Sequence, residues 1–410
     1  MSEDRAAASS AAAPSSGIAT GHPRTLAEAT TIRVGGEVGE WVEATTRDEI
    51  VSAYAQALDD DWTPHLLLGG GSNTVASSEP FDGTVLRVAT QGIRTLPEAE
   101  RPYRPAGEEP PADDTVVLRV EAGETWDALV ERTVGQGLAG LEALSGIPGS
   151  VGAAPIQNIG AYGQEVAATL VGIELLTMSE DDRGVLEVRH VPAAALRLGY
   201  RDSAIKRGDL SGVVLSVDLR LSRSADGRSQ PVAYQQLATA LGVELGTRVP
   251  LADVRASVLE LRRSKGMVLS DDPDSVSAGS FFTNPVVSTR FASTLPDEAP
   301  RWSVAPAPSA TVLPLDADTP ATDRVPSLDR PVPQVKLSAA WLIEHAGIAR
   351  GFALPGSRAA VSSKHTLALT NRGGATGEQV AELARFVQAR VENEFGVHLV
   401  PEPVLVGLQL

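Results

Sequence analysis

Apolar residues recur at helical spacing in several well-separated stretches of the chain. In GETWDALVERTVGQGLAGLEAL, Trp126, Leu129, Val130 and Val134 share a face, and Gly135 and Gly137 are placed to end the helix. Over residues 378–395, Val380, Leu383, Ala384, Val387 and Val391 keep a 3.6-residue period, with Thr376 placed as N-cap. Residues 251–265 predict a helix with Leu251, Val254, Val258 and Leu261 on one face. Leu337, Ala340, Trp341 and Ile343 predict another that ends near Gly347, and TRDEIVSAYAQALDD a further one after TIRVGG. Strand character marks 65–69, 84–88, 115–120, 168–178, 184–190 and 212–221, and returns at 397–408. Helices and strands are thus interleaved, with no repeated period that would suggest a solenoid.

Other stretches lack core-forming power. The Pro/Glu-rich run 97–114 reads as a surface insertion, 222–229 as a polar turn, and 303–331, rich in Ala, Pro, Thr and Asp, as a long surface excursion. Residues 1–23 read as a disordered tail without the continuous apolar segment of a secretory signal. A length of 410 residues with 42 % hydrophobic content supports more than one core. The net charge of -17 disfavours a phosphodiester partner, so no nucleic acid is expected, although a small anionic ligand needs only local amides and a cation or two. No apolar run reaches membrane-spanning length, and a cytoplasmic protein is expected. With no Cys and 6 His, thiol chemistry is excluded and a metal site is not expected.

Two glycine-rich segments carry the candidate binding chemistry. Gly69, Gly70, Gly71, Ser72 and Asn73 follow the LLL strand, where converging amides could hold phosphate oxygens; a structural turn is an equal reading of that motif alone. SGIPGSVGAAPIQNIGAYG, with Ser145, Gly146, Pro148, Gly149, Gly152, Ala153, Asn158, Gly160, Ala161, Tyr162 and Gly163, is constrained backbone of the kind that admits a ligand closely. Together the two form walls that a pyrophosphate-containing cofactor could occupy. In LGYRDSAIK, Arg201 beside Tyr200 could grip a carboxylate through two parallel bonds, or simply pair with Asp202 or with a Glu at the surface, with Tyr200 packed beneath it. Ser280, on a glycine turn before Phe281 and Phe282, could deliver a proton to a developing carbanion or merely cap the turn. Glu402, between Pro401 and Pro403, is either a rigidly placed acid, base or electrostatic partner or an edge-strand residue, and His345 and His365 read as structural groups or as supports for a site rather than as metal ligands.

Taken in order, LLLGGGSN, GLEALSGIPGSVGAAPIQNIGAYGQEV, LGYRDSAIK, SAGSFFTNP, KLSAAWLIEHAG, SSKHTLALTN and PEPVLVG resemble the UDP-N-acetylenolpyruvoylglucosamine reductase family over most of residues 31–408. The resemblance implies an α+β fold: a vanillyl-alcohol-oxidase-like (PCMH-type) FAD-binding domain of two subdomains, at 24–92 and 93–267, plus a C-terminal α+β substrate-binding domain at 268–402. The terminal strand 403–410 is expected to return to the first subdomain, and 303–331 to be a flexible insertion. It implies non-covalent FAD held by the two glycine segments, NADPH as hydride donor, and a monomer acting on a small-molecule UDP-sugar enolpyruvyl ether.

By the same likeness, Ser280 matches the proton donor, while Arg201 and Glu402 match residues that polarise the substrate carboxyl group. Tyr200 would shape the gap between flavin and substrate, and Tyr234, in PVAYQQL, matches a tyrosine on a mobile loop that covers the UDP portion. Lys265 matches a diphosphate-binding lysine and Asn284 a substrate ligand. The sequence departs from the family's short RxxKLPDP pattern after Lys265. Two competing functions are a sugar or alcohol oxidase on the same fold, which would use oxygen as acceptor, and a non-catalytic nucleotide-binding regulator, which would bind without turnover.

Overall fold

The computed structural model describes residues 24–59, 63–101, 114–179, 184–304 and 333–410. The expected tail 1–23, most of the 97–114 insertion and nearly all of 303–331 lie outside the described residues.

Two sheets carry the first part of the chain. A three-stranded parallel sheet places Phe81–Val88 between Val38–Ala44 and His65–Leu68. A larger antiparallel sheet runs Leu186–Pro192, Leu170–Met178, Val213–Arg223, Thr115–Glu121 and Ile93–Thr95, with Leu138–Ala139 pairing alongside Val213–Arg223. Apolar residues of helix Arg47–Asp59 and of both sheets, among them Val42, Ile50, Tyr54, Leu86, Leu176, Val213 and Leu215, form one shared core. Helix Trp126–Gly135 packs on the larger sheet through Trp126, Leu129 and Val130, all at most 1 % exposed, and ends where Gly137 takes a φ of 70°.

The last part of the chain is a separate layer. Ala368–Asn371 lies between Ser277–Ser280 and Ala359–Val361, and Gln334–Leu337 between Val286–Ser288 and Arg301–Ser303. Helix Gly377–Phe395 buries its Val380, Leu383, Ala384, Val387 and Val391 face against these strands, and Thr376 and Gln379 close a reciprocal capping box at its start. Ile32, Val34 and Val75 enter the same core from the N-terminal region. Strand Val404–Val406 leaves the layer and pairs in parallel with Thr74–Ala76, directly after the first glycine segment.

Several sequence expectations change in detail. Strand Val38–Ala44 occupies the connection between TIRVGG and the first long helix, where Gly39, Glu40 and Glu43 mask the strand pattern. The helix expected from Leu337 is Ala339–His345: Leu337 closes a strand, Ser338 caps the helix, and the buried face is Ala339, Leu342 and Ile343 rather than Ala340 and Trp341. The expected terminal strand shrinks to Val404–Val406, because Pro401 and Pro403 cannot both donate to a ladder.

Candidate active site

The first glycine segment joins strand His65–Leu68 to Thr74–Ala76, and the second runs on from the sheet-packed helix; the two meet backbone to backbone. A Cβ on Gly70 would stand 2.6 Å from the Gly149 Cα, so only glycine permits the approach. Ser72 seals the junction by donating from its hydroxyl to the Pro148 carbonyl at 3.0 Å. Beside it opens a cleft of about 470 Å³, lined by Gly69, Gly70, Gly71, Ser72, Asn73, Pro148, Gly149, Ala153, Gly160, Ala161 and Tyr162.

Other residues of the second segment shape it from behind and do not line the cleft, which corrects the expectation that the whole run faces a ligand. Ser145 is fully buried and donates to the Glu142 carbonyl at 2.8 Å; the Gly146 amide donates to Asp127 at 2.6 Å. Gly152 backs onto Ala122, and Asn158 is buried, donating to Glu165 and to the Gly199 carbonyl. Gly163 faces a neighbouring cavity beside Ala233. A loop with so little regular hydrogen bonding spends part of its polar complement on its own folding.

Ser280, Arg201 and Glu402 all line the cleft. Ser280 ends a strand, with an irregularity in pairing between Ser277 and Ser280 and Gly279 at a φ of 75°; the expected glycine turn is thus a bulge that re-aims the serine. Its hydroxyl makes no hydrogen bond among the described residues. The Glu402 amide donates to the Phe281 carbonyl at 2.8 Å, which fixes the terminal segment beside that strand. Arg201, at a positive φ of 55°, donates to the carbonyls of Asn158 at 3.1 Å and Gly160 at 2.6 Å, and its Nε lies 3.2 Å from Glu402 Oε1. Its partner is therefore Glu402, not the surface Asp202, and part of its fork is already engaged. Burial pushes the Glu402 carboxyl above its ordinary value, outweighing Arg201 and Lys206.

Another part of the cleft lining is aromatic and cationic. Tyr234 begins helix Gln235–Leu241 and meets Tyr162 edge-on at 5.9 Å. Lys265, at the end of helix Leu251–Ser264, donates to Gln236 at 2.9 Å and lies 5.5 Å from the Tyr162 ring. Burial and Arg262 hold the Lys265 ammonium below its usual value, and burial with Lys265 and Arg350 nearby brings His365 down to about 4. Tyr200 and Asn284 instead line an adjoining cavity of about 560 Å³ that shares Arg201 and Lys206, with the Asn284 amide donating to the Tyr200 hydroxyl at 3.3 Å. Sequence reasoning did not single out Gln157, Arg262 or Lys206 as cleft residues; the side-chain amide within PIQNIG was the available signal for the first. Among the described residues, no group of His, Asp or Glu is arranged to hold a metal ion.

Two family models match the chain: a FAD binding domain over residues 41–181 and the C-terminal domain of UDP-N-acetylenolpyruvoylglucosamine reductase over 272–406. A UDP-N-acetylenolpyruvoylglucosamine reductase of Leifsonia xyli is 53 % identical over 397 residues, covering 95 % of this chain and 99 % of the relative. The chain belongs to the UDP-N-acetylenolpyruvoylglucosamine reductase family. Another member, from Streptomyces coelicolor, is 45 % identical across 95 % of this chain and 91 % of its own length. The crystal structure of the family's Thermus caldophilus enzyme shares the fold, at a TM-score of 0.54 and 24 % identity over 93 % of this chain and 97 % of that one. The fold is α+β with a PCMH-type FAD-binding domain.

The cleft fits that cofactor. The amides of Gly70, Gly71 and Ser72 donate to no acceptor among the described residues, which leaves a nest of donors for a diphosphate. Gly279 also lines the cleft, and a side chain added there would meet no atom of the described residues within 4 Å apart from its own chain neighbours. Trp126, Ile147, Ile156 and Ile159 supply apolar wall for flat rings.

Proposed function

We propose that this chain reduces UDP-N-acetylenolpyruvoylglucosamine to UDP-N-acetylmuramate with NADPH, using FAD held between the two glycine segments. The observation that carries the reading is that one glycine-walled cleft is lined by a serine whose hydroxyl has no hydrogen-bond partner among the described residues, by an arginine and by the buried carboxyl that pairs with it. Held by the two glycine segments, FAD would supply hydride chemistry, drawing on NADPH and delivering to the terminal carbon of the enolpyruvyl group. The chain's own residues handle the charge that this leaves on the carbon bearing the carboxylate. Ser280 gives that carbon its proton from a hydroxyl that no partner among the described residues restrains. Arg201 and Glu402 stabilise the developing charge on the adjoining carboxyl group, and their fixed placement means little reorganisation as the charge grows. Lys265, Tyr234 and Gln236 hold the diphosphate and uridine end, while Tyr200 and Asn284 support Arg201 from the adjoining cavity.

In this reading the enzyme works in the cytoplasm as a monomer on a small-molecule substrate, with neither nucleic acid nor membrane; among the described residues, no helix is long and apolar enough to cross a membrane. An oxidase reading is less well supported, because the cationic part of the lining suits a charged substrate. Purified protein is expected to show a flavin spectrum that NADPH bleaches anaerobically and UDP-N-acetylenolpyruvoylglucosamine restores. Ser280→Ala should keep the flavin and its bleaching, yet slow the restoration about 10²–10⁴-fold. Restoration at the wild-type rate would remove Ser280 from the mechanism.

A further inference from the structure

Among the described residues, Glu402 is held through only one of its two oxygens. Arg201 Nε approaches Oε1 at 3.2 Å, and Gln157 Nε2 donates to the same Oε1 at 3.3 Å. Oε2 has no partner among the described residues. The orientation of the Gln157 amide is itself set: Asn73 Nδ2 donates to Gln157 Oε1 at 2.8 Å, so the Gln157 nitrogen is the end turned to Glu402. The same Asn73 nitrogen donates to the Glu402 main-chain carbonyl at 3.1 Å. Asn73, Gln157 and Glu402 therefore form a closed brace between the first glycine segment, the second and the terminal segment.

We propose that Gln157 is a positioning residue for Glu402: sharing Oε1 with Arg201, it turns Oε2 toward the substrate as the oxygen that carries the proton and meets the developing charge. The inference rests on the reductase reading above. A donor to the carboxylate favours its ionised form, so removing Gln157 should raise the pH at which Glu402 ionises.

The test uses the flavin-loaded enzyme, with Gln157→Met made alone and in a Glu402→Gln background. Alone, it is expected to slow flavin restoration by the enolpyruvyl substrate about tenfold, the worth of one hydrogen bond to a charged group, with NADPH bleaching within about twofold of wild type. In the Glu402→Gln background it should add no further loss. Infrared spectra give a readout apart from turnover: the protonated-carboxyl band that Glu402→Gln abolishes should persist to higher pH in Gln157→Met. If Gln157→Met fails to retain FAD, Gln157→Asn, which keeps an amide but shortens its reach, should show the same displacement of the band. An equal loss in both backgrounds, or an unmoved band, overturns the proposal. A wild-type enzyme whose flavin the substrate never restores would instead refute the reductase reading, while the infrared titration still decides on Gln157.

Discussion

Two clusters of buried charge in this molecule use the same side-chain types to opposite ends. In the large sheet, Arg119 makes a bidentate pair with Asp218 at 2.8 Å for both contacts and reaches Glu174 Oε1 at 2.6 Å. Glu174 Oε2 is taken by Arg47 at 2.7 Å and by the Ser216 hydroxyl. Burial pushes Glu174 upward, but Ser216, Arg47 and Arg119 outweigh it and hold the carboxyl below its ordinary value. At the cleft, Glu402 has a single arginine partner on a single oxygen, and burial wins. The contrast teaches that a fully satisfied buried pair belongs to the architecture, whereas one left short of partners is poised to do chemistry.

The comparison breaks most visibly at Glu402. Glu402→Gln should slow substrate reduction about 10²–10⁴-fold while leaving the resistance of the fold to urea unchanged or improved, since an underpaired buried acid is removed. A large stability loss would put Glu402 in the same class as Glu174. Arg119→Met should do the reverse, costing about 3–5 kcal/mol in urea unfolding because Glu174 and Asp218 lose a shared cation, with turnover per folded molecule preserved.

Acidity separates the two clusters by sign. Glu174, with its pKa lowered, contributes stability above its ordinary value of 4.5 that is lost as pH falls through the lowered one. Glu402, with its pKa raised, contributes stability below 4.5 that is lost as pH rises through the raised one. Relative to wild type, Glu402→Gln should therefore gain stability as pH climbs from 4.5 toward neutrality, and the deficit of Glu174→Gln should shrink as pH drops below it. Unfolding curves for both variants across that range check the pair, and parallel trends would dissolve the distinction. The smallest effect is expected for Ser216→Ala: a loss of about 1 kcal/mol by urea unfolding, with Arg47 and Arg119 still holding Glu174.

Much of this was legible along the chain. The faces of Trp126–Gly135, Leu251–Ser264 and Gly377–Phe395 stand out because each helix packs on one side only, and a 3.6-residue period survives in sequence when one face is buried. The glycine runs were equally visible, since the close approach of Gly70 to Gly149 leaves no room for another residue. Val38–Ala44 was not visible, because a strand's place in a sheet depends on partners far along the chain, such as Val85 opposite Trp41 in the ladder, more than on its own composition. Within the site, Ser280, Arg201 and Glu402 were named from their motifs, but Gln157 was hidden among backbone-shaping neighbours.

By itself, then, the sequence determined the kinds of elements, the constrained glycine walls and, through its motifs, the family. Only the tertiary structure decided that Arg201 spends its charge on Glu402, that Ser145 and Asn158 stand behind the cleft wall, and that Glu402 keeps one oxygen without a partner among the described residues. Periodicity and glycine content are local properties, carried by adjacent residues. Partnership and burial arise between Asn73, Gln157, Arg201 and Glu402, segments far apart along the chain, and they exist only once the fold has closed.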